Sequence, residues 1–170
     1  MKREDLSNMS DRDHLAKIAE SLTRAIAEEP DNPRNYFLRG NAYLDSGNFE
    51  FAIDDYSNVI RLSPNDSVAY NNRGIAYRGK RETERAIADY TKAIDLDPGY
   101  RDAFNNRGMV HSDGEDYAAA VRDYTSAIAL DGDHWVAYNN RGTTLWAMGD
   151  REGAEQDYKR VSELMRSSHP

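Results

Sequence analysis

The chain has 170 residues, no cysteine and a formal net charge of −8, with charged residues at 31% and apolar ones at 39%. The apolar share lies below the roughly 45–50% of an average soluble domain yet is too high for a disordered chain, which points to a thin or elongated globular fold. Without cysteine there is no disulfide framework, thiolate zinc site or cysteine nucleophile, and no apolar run approaches the roughly 20 residues of a membrane span.

Met1 to Ser10 lacks the basic-then-apolar build of a secretory signal, so a cytoplasmic location is expected. The acidic balance repels a phosphate backbone. Positive charge gathers only at Arg78, Lys80, Arg81 and Arg85, so neither nucleic acid nor a membrane is expected as a partner.

Taken in chain order, residues 1–9 read as a flexible N-terminus. Ser10 to Glu29 follows as a lone amphipathic helix, with Leu15, Ile18, Leu22, Ala25 and Ile26 on one face and a capping pattern at Ser10 and Asp13. Residues 10–30 are thus expected to form an N-terminal capping helix, equivalent to half a repeat. From there a 34-residue period governs the chain. It links Tyr36, Tyr70, Phe104 and Tyr138; Arg39, Arg73, Arg107 and Arg141; Gly40, Gly74, Gly108 and Gly142; Ala52, Ala86, Ala120 and Ala154; and Tyr56, Tyr90, Tyr124 and Tyr158.

Within one period, Tyr70, Gly74 and Tyr77 fall on one helical face, and Ala86, Ile87, Tyr90, Ala93 and Ile94 on another. Asn32 before Pro33 reads as an N-cap followed by proline at the first helical position, Asp66 as the next cap, and Pro30, Pro64 and Pro98 as stops in one phase. Each period is therefore a helical hairpin: residues 33–66, 67–100, 101–134 and 135–166, with 167–170 a flexible end. The glycines are expected where two helices cross, facing the alanine column. A single hairpin cannot bury its own apolar face, so neighbours must stack. In the last helix, Glu155 and Ser162 replace the apolar residues of their columns, so the array is expected to end there facing water.

This pattern resembles the tetratricopeptide repeat (TPR) family over Pro33 to about Met165. Gly132 and Arg166 depart from it by replacing the closing proline, and His111 and Leu145 by replacing the second tyrosine. The resemblance implies an all-α right-handed superhelical solenoid of antiparallel hairpins, whose first helices line a concave side where an extended peptide commonly lies. On that face the expected binding residues are Asn41, Asn71, Asn72, Ile75, Asn105, Asn106, Met109, Asn139, Asn140 and Trp146. An amide carries both a donor and an acceptor, so a row of them can pair with a ligand's main chain whatever its side chains. The competing reading is that these asparagines only cap or solvate their helices.

The Arg39 column, matched by Asp55, Asp89, Asp123 and Asp157, reads as internal ion pairs between helices and less well as a carboxylate site. The resemblance also brings to mind the co-chaperone clamp for chaperone C-termini, built of lysines, asparagines and an arginine. Asn41 and Asn72 match its asparagines, but Phe37 and Asp102 stand at its lysine positions and Asn106 at its arginine. Such a clamp is not expected here. His111-Ser112-Asp113 is adjacency without a triad, and Asp131-Gly132-Asp133-His134 lacks a calcium loop's twelfth carboxylate, where Gly142 stands. No catalytic residue, metal or cofactor is expected. The chain reads as a monomeric, non-enzymatic scaffold or adaptor for a protein or peptide ligand. The alternatives are a small secretion-type or co-chaperone-like TPR chaperone, or a homo-oligomeric assembly module.

Overall fold

The computed structural model describes the backbone of residues 3–167 and the side chains of residues 13–166. Among them are nine α-helices and no strand: α1 (Arg3–Glu28), α2 (Pro33–Asp45), α3 (Phe49–Leu62), α4 (Ser67–Gly79), α5 (Thr83–Leu96), α6 (Arg101–Asp113), α7 (Tyr117–Leu130), α8 (Trp135–Met148) and α9 (Arg151–Ser167). The first helices of the four hairpins start at residues 33, 67, 101 and 135, in register with the 34-residue period. The chain divides into two compact units, Met1–Asp89 and Tyr90–Pro170, the division falling inside α5.

In the first unit Asn32 accepts from the Arg34 N–H at 3.1 Å with Pro33 at the first helical position, and Asp66 accepts from the Ala69 N–H at 2.9 Å. Both caps are those expected from the sequence. The start of α1 is not: the helix begins at Arg3, seven residues upstream of Ser10, because no Gly or Pro between them interrupts it. The helix therefore includes most of the segment 1–9 expected to be flexible, and Ser10 is no N-cap. Residues 168–170 of the expected flexible end lie outside the described residues.

All four hairpin turns share one geometry. The N–H of Asn48, Glu82, Asp116 and Asp150 donates to the carbonyl of Tyr43, Tyr77, His111 and Leu145, at 2.8, 2.9, 2.9 and 2.9 Å. The residue before each donor is left-handed: Gly47 (φ 77°), Arg81 (62°), Glu115 (62°) and Gly149 (88°). Only glycine adopts that conformation without steric cost, so two of the four turns hold a side chain where none is favoured. His111 and Leu145 leave this turn unchanged because its hydrogen bonds use only backbone.

The core of each unit is built on the tyrosine and alanine columns, with Ala52, Tyr56 and Ala86 buried in the first and Tyr90, Ala120, Tyr124 and Ala154 in the second. The helix crossings differ in detail from the sequence expectation. A Cβ on Gly40 would lie 3.0 Å from the Tyr56 ring, one on Gly108 2.8 Å from Tyr124, and one on Gly142 3.1 Å from Tyr158. The glycines thus make room for the flat face of a tyrosine rather than for the alanine column. Close packing leaves no slack for an added methyl there.

Candidate functional site

The arginine column is the frame on which the first-helix faces are set. Arg39 donates through Nε and Nη2 to both oxygens of Asp55 at 2.8 and 2.7 Å, and Arg73 does the same to Asp89 at 2.7 and 2.8 Å. In the second unit Arg107 grips Asp123 at 2.9 and 2.8 Å, and Arg141 grips Asp157 at 2.8 and 2.7 Å. These fork-to-fork pairs tie the two helices of each hairpin together. The aspartates are buried, and the hydrogen bonds they accept hold the guanidinium groups of Arg39, Arg73 and Arg141 above the usual arginine range. The internal reading of the arginine column is the one the geometry supports, and no arginine of the column is left facing a ligand as an unpaired cation.

Each arginine makes a third contact that the sequence reading missed. Nη1 donates to Thr23, Ser57, Thr91 and Thr125, respectively, at 2.8, 3.0, 3.0 and 3.1 Å. These hydroxyls also keep the 34-residue step, so the signal was present in the sequence as a Ser/Thr column.

The expected binding asparagines separate into two kinds. Asn71 and Asn105 are 3% and 6% exposed, so they are corrected from ligand-contacting residues to internal ones. Successive residues on a helix lie about 100° apart, so the two amides of an Asn-Asn pair point in different directions. In the first unit the Asn71 Nδ2 donates to the Asn72 Oδ1 at 3.1 Å, and the Asn72 Nδ2 to the Asn41 Oδ1 at 3.3 Å. The Tyr56 hydroxyl donates to that same Asn41 oxygen at 2.8 Å. With its oxygen taken twice from within, Asn41 has its NH2 group to offer. Burial raises the Tyr56 phenol well above its ordinary value, so it stays a donor throughout the physiological range.

In the second unit the residue two periods on from Asn72, Asn140, also donates inward. The Asn140 Nδ2 donates inward to the Asn105 Oδ1 at 3.0 Å, while the Asn105 Nδ2 approaches the Met109 sulfur at 3.6 Å. Asn140 therefore has its oxygen to offer, and Met109 is a support for Asn105. Asn106 is half-buried and Asn139 exposed. Ile75 is half-buried on α4, and Trp146 is 51% exposed on α8 with the Arg151 guanidinium 5.3 Å from its ring centre.

The residues weighed and set aside as chemistry have structural partners. The His111 Nε2 lies 3.9 Å from the Asp123 Oδ2, and the Ser112 hydroxyl is 3.1 Å from that of Thr144. The Asp131 Oδ1 accepts from the Asp133 N–H at 3.0 Å, as the Asp97 Oδ1 does from Gly99 at 2.9 Å, so Gly132 in place of the proline keeps the same turn. No group of three or more His, Cys, Asp or Glu among the described residues is arranged to hold a metal ion. No helix among them is long and apolar enough to cross a membrane.

Repeated hairpins of 34 residues joined by one turn geometry define an all-α, TPR-like fold. The chain belongs to the tetratricopeptide repeat family, whose models match residues 40–80, 67–100 and 105–164. Among solved structures it is similar to a crystal structure of MamA, with a TM-score of 0.84 and 22% identity over 99% of this chain and 97% of that one. MamA 41-end from Desulfovibrio magneticus RS-1 gives a TM-score of 0.78 at 17% identity, covering 94% of this chain and 98% of that one. The first TPR of Spaghetti (RPAP3), bound to the HSP90 peptide SRMEEVD, gives 0.67 at 25% identity over 69% of this chain and 93% of that one. No curated protein sequence matches the chain.

Proposed function

We propose that this protein is a non-enzymatic, cytoplasmic scaffold or adaptor that holds an extended peptide segment of a partner protein on the first-helix faces of its hairpins. The observation that carries this reading is the fixed orientation of its half-exposed amides: Asn41 turns an NH2 group outward, and Asn140 an oxygen. A ligand main chain offers the matching carbonyl and N–H, and a donor or acceptor set in advance binds without the cost of ordering it. In this reading Asn41, Asn72, Asn106, Asn139 and Asn140 touch the ligand. Asn71 and Asn105 position them, and Ile75, Met109 and Trp146 give side-chain preference. A TPR protein bound to a peptide, as RPAP3 is, supports the class of ligand.

The ligand is an internal segment rather than a free carboxyl terminus, because Phe37, Asp102 and Asn106 supply no cation at the positions where the co-chaperone clamp has one. The net charge of −8 favours neutral or basic segments. Peptide display selection on the immobilised protein, beside a titration with labelled SRMEEVD, tests this. Enriched internal sequences that lose binding in Asn41→Ala or Asn140→Ala are expected, with no saturable binding of SRMEEVD. Tight binding of that acidic tail would overturn the reading. We hold the working species to be a monomer, and a tight dimer in sedimentation would favour an assembly module instead.

A further inference from the structure

We infer that the cleft between α1 and α2 is a second docking site, separate from the amide-bearing faces, that takes a Lys or Arg side chain of a partner protein. The cleft has a volume of about 530 Å³, with Leu15, Ala16 and Ala19 on one wall, the Tyr43 ring on the other, and Glu20, Ser46 and Asn48 at its polar edge. That size is within the range of ligand sites.

The internal repeat shows what this space holds one period on. Leu15, Ala16, Ala19 and Ser46 correspond at a step of 34 to Phe49, Glu50, Ile53 and Lys80, so each of the four carries a smaller side chain than its counterpart. There the Lys80 ammonium lies 2.6 Å from Glu50 and 3.2 Å from Glu82. The Phe49 ring fills the space beside Gly79, so closely that a Cβ on that glycine would meet it at 2.6 Å. Asp45 stands at the Gly79 position in the first hairpin.

Among the described residues, the lining of the α1–α2 cleft therefore supplies neither the Phe49-like ring nor the Lys80-like cation found one period on, while it keeps acceptors at its edge. Among the described residues the Glu20 carboxylate pairs with Arg24 at 2.9 Å, both side chains exposed, and a ligand can displace that pair at little cost. The Asn48 Nδ2 is committed to the Ser46 hydroxyl at 2.9 Å, which leaves its Oδ1 to accept. A long cationic side chain matches this arrangement, its methylenes on Leu15, Ala19 and Tyr43 and its charge between Glu20 and Asn48.

Because the chain has no cysteine, Ala16→Cys at this exposed position introduces a single thiol at the cleft. Its disulfide exchange is then measured with 2-aminoethanethiol, 2-mercaptoethanol and thioglycolate, which carry positive, no and negative charge. The cationic thiol should be retained about two- to fivefold over the neutral one, the size of an exposed ion pair, with the anionic thiol weakest. Adding Ser46→Lys, which restores the side chain found one repeat on, should abolish the preference, and adding Glu20→Gln should reduce it. Equal retention of the neutral or anionic thiol, or a preference that survives Ser46→Lys, would overturn the proposal. Neither result depends on the amide-bearing faces, so failure here leaves the peptide-binding reading untouched.

Discussion

In the first unit the caps and arginines are doubly secured. Asn32 and Asp66 accept from the first turns of their helices, and Arg39 and Arg73 each lie near two tyrosine rings, at 5.5–6.0 Å from their centres. In the second unit the same positions hold Tyr100 and His134, neither of which makes a side-chain cap, and Arg107 and Arg141 each have one ring, from Phe104 and Tyr138, among the described residues. One repeat pattern thus gives two degrees of finish. The Arg–Asp fork is kept in all four hairpins while the caps and second rings are not, which marks the fork as the element on which the hairpin depends.

The largest expected effect comes from breaking that fork. Arg73→Ala and Arg107→Ala each leave a buried aspartate without its guanidinium partner, and each should cost about 3–5 kcal/mol in chemical denaturation, with His111 at 3.9 Å from Asp123 softening the loss at Arg107. The loss should be greater for Arg73 by about 0.5–1 kcal/mol, because it also forfeits a second ring. Equal losses would show that the second ring contributes nothing.

A smaller effect is expected at the missing cap. The His134 Nε2 is buried without a hydrogen bond, 3.7 Å from Asp102, and burial lowers its affinity for a proton below the ordinary value of 6.5. The unfolded chain then binds the proton more readily than the folded one. Above pH 6.5 the imidazole is neutral in both states, and below it the folded state loses stability progressively. His134→Asn, which installs the residue found at Asn32, should gain about 1 kcal/mol from the new cap and flatten this part of the acid profile. An unchanged slope between pH 7 and 5 would assign the acid sensitivity elsewhere.

The smallest effect concerns the left-handed turns. Glu115→Gly removes a strained backbone position but adds freedom to the unfolded chain, so a net rise in Tm of about 1–4 °C is expected. Arg81→Gly should give the same gain in the first unit. A fall in either would mean that the side chain there holds the turn.

Much of this was legible in the sequence. The 34-residue step fixed the starts of all four hairpins, Asn32 and Asp66 announced their caps, and the paired Arg and Asp columns announced the fork. The Thr23, Ser57, Thr91 and Thr125 column was equally periodic, but its partner became visible only once Nη1 of each arginine was placed. Two features were not legible. Asn71 and Asn72 are adjacent and chemically identical, so only the helix phase against α2 and α3 decides which one turns inward. The glycine columns said that something must approach closely, but alanine and tyrosine share their period, and only the crossing geometry selects the tyrosine ring.

Neighbouring Asn72 and Arg73 offer the most direct test, since the account gives one to the ligand and the other to the fold. Thermal unfolding and capture of a selected peptide are measured together on Asn72→Ala and Arg73→Ala. Asn72→Ala should lose about one hydrogen bond to the ligand, roughly 0.5–1.5 kcal/mol or up to about tenfold in Kd, and, because it also gives up its contacts with Asn71 and Asn41, should lower Tm by only a few degrees, far less than Arg73→Ala. Arg73→Ala should unfold many degrees lower and, at a temperature where it remains folded, bind the peptide with near-normal affinity. If Asn72→Ala binds normally while Arg73→Ala loses binding without losing stability, the roles of the two columns are reversed and the account is wrong.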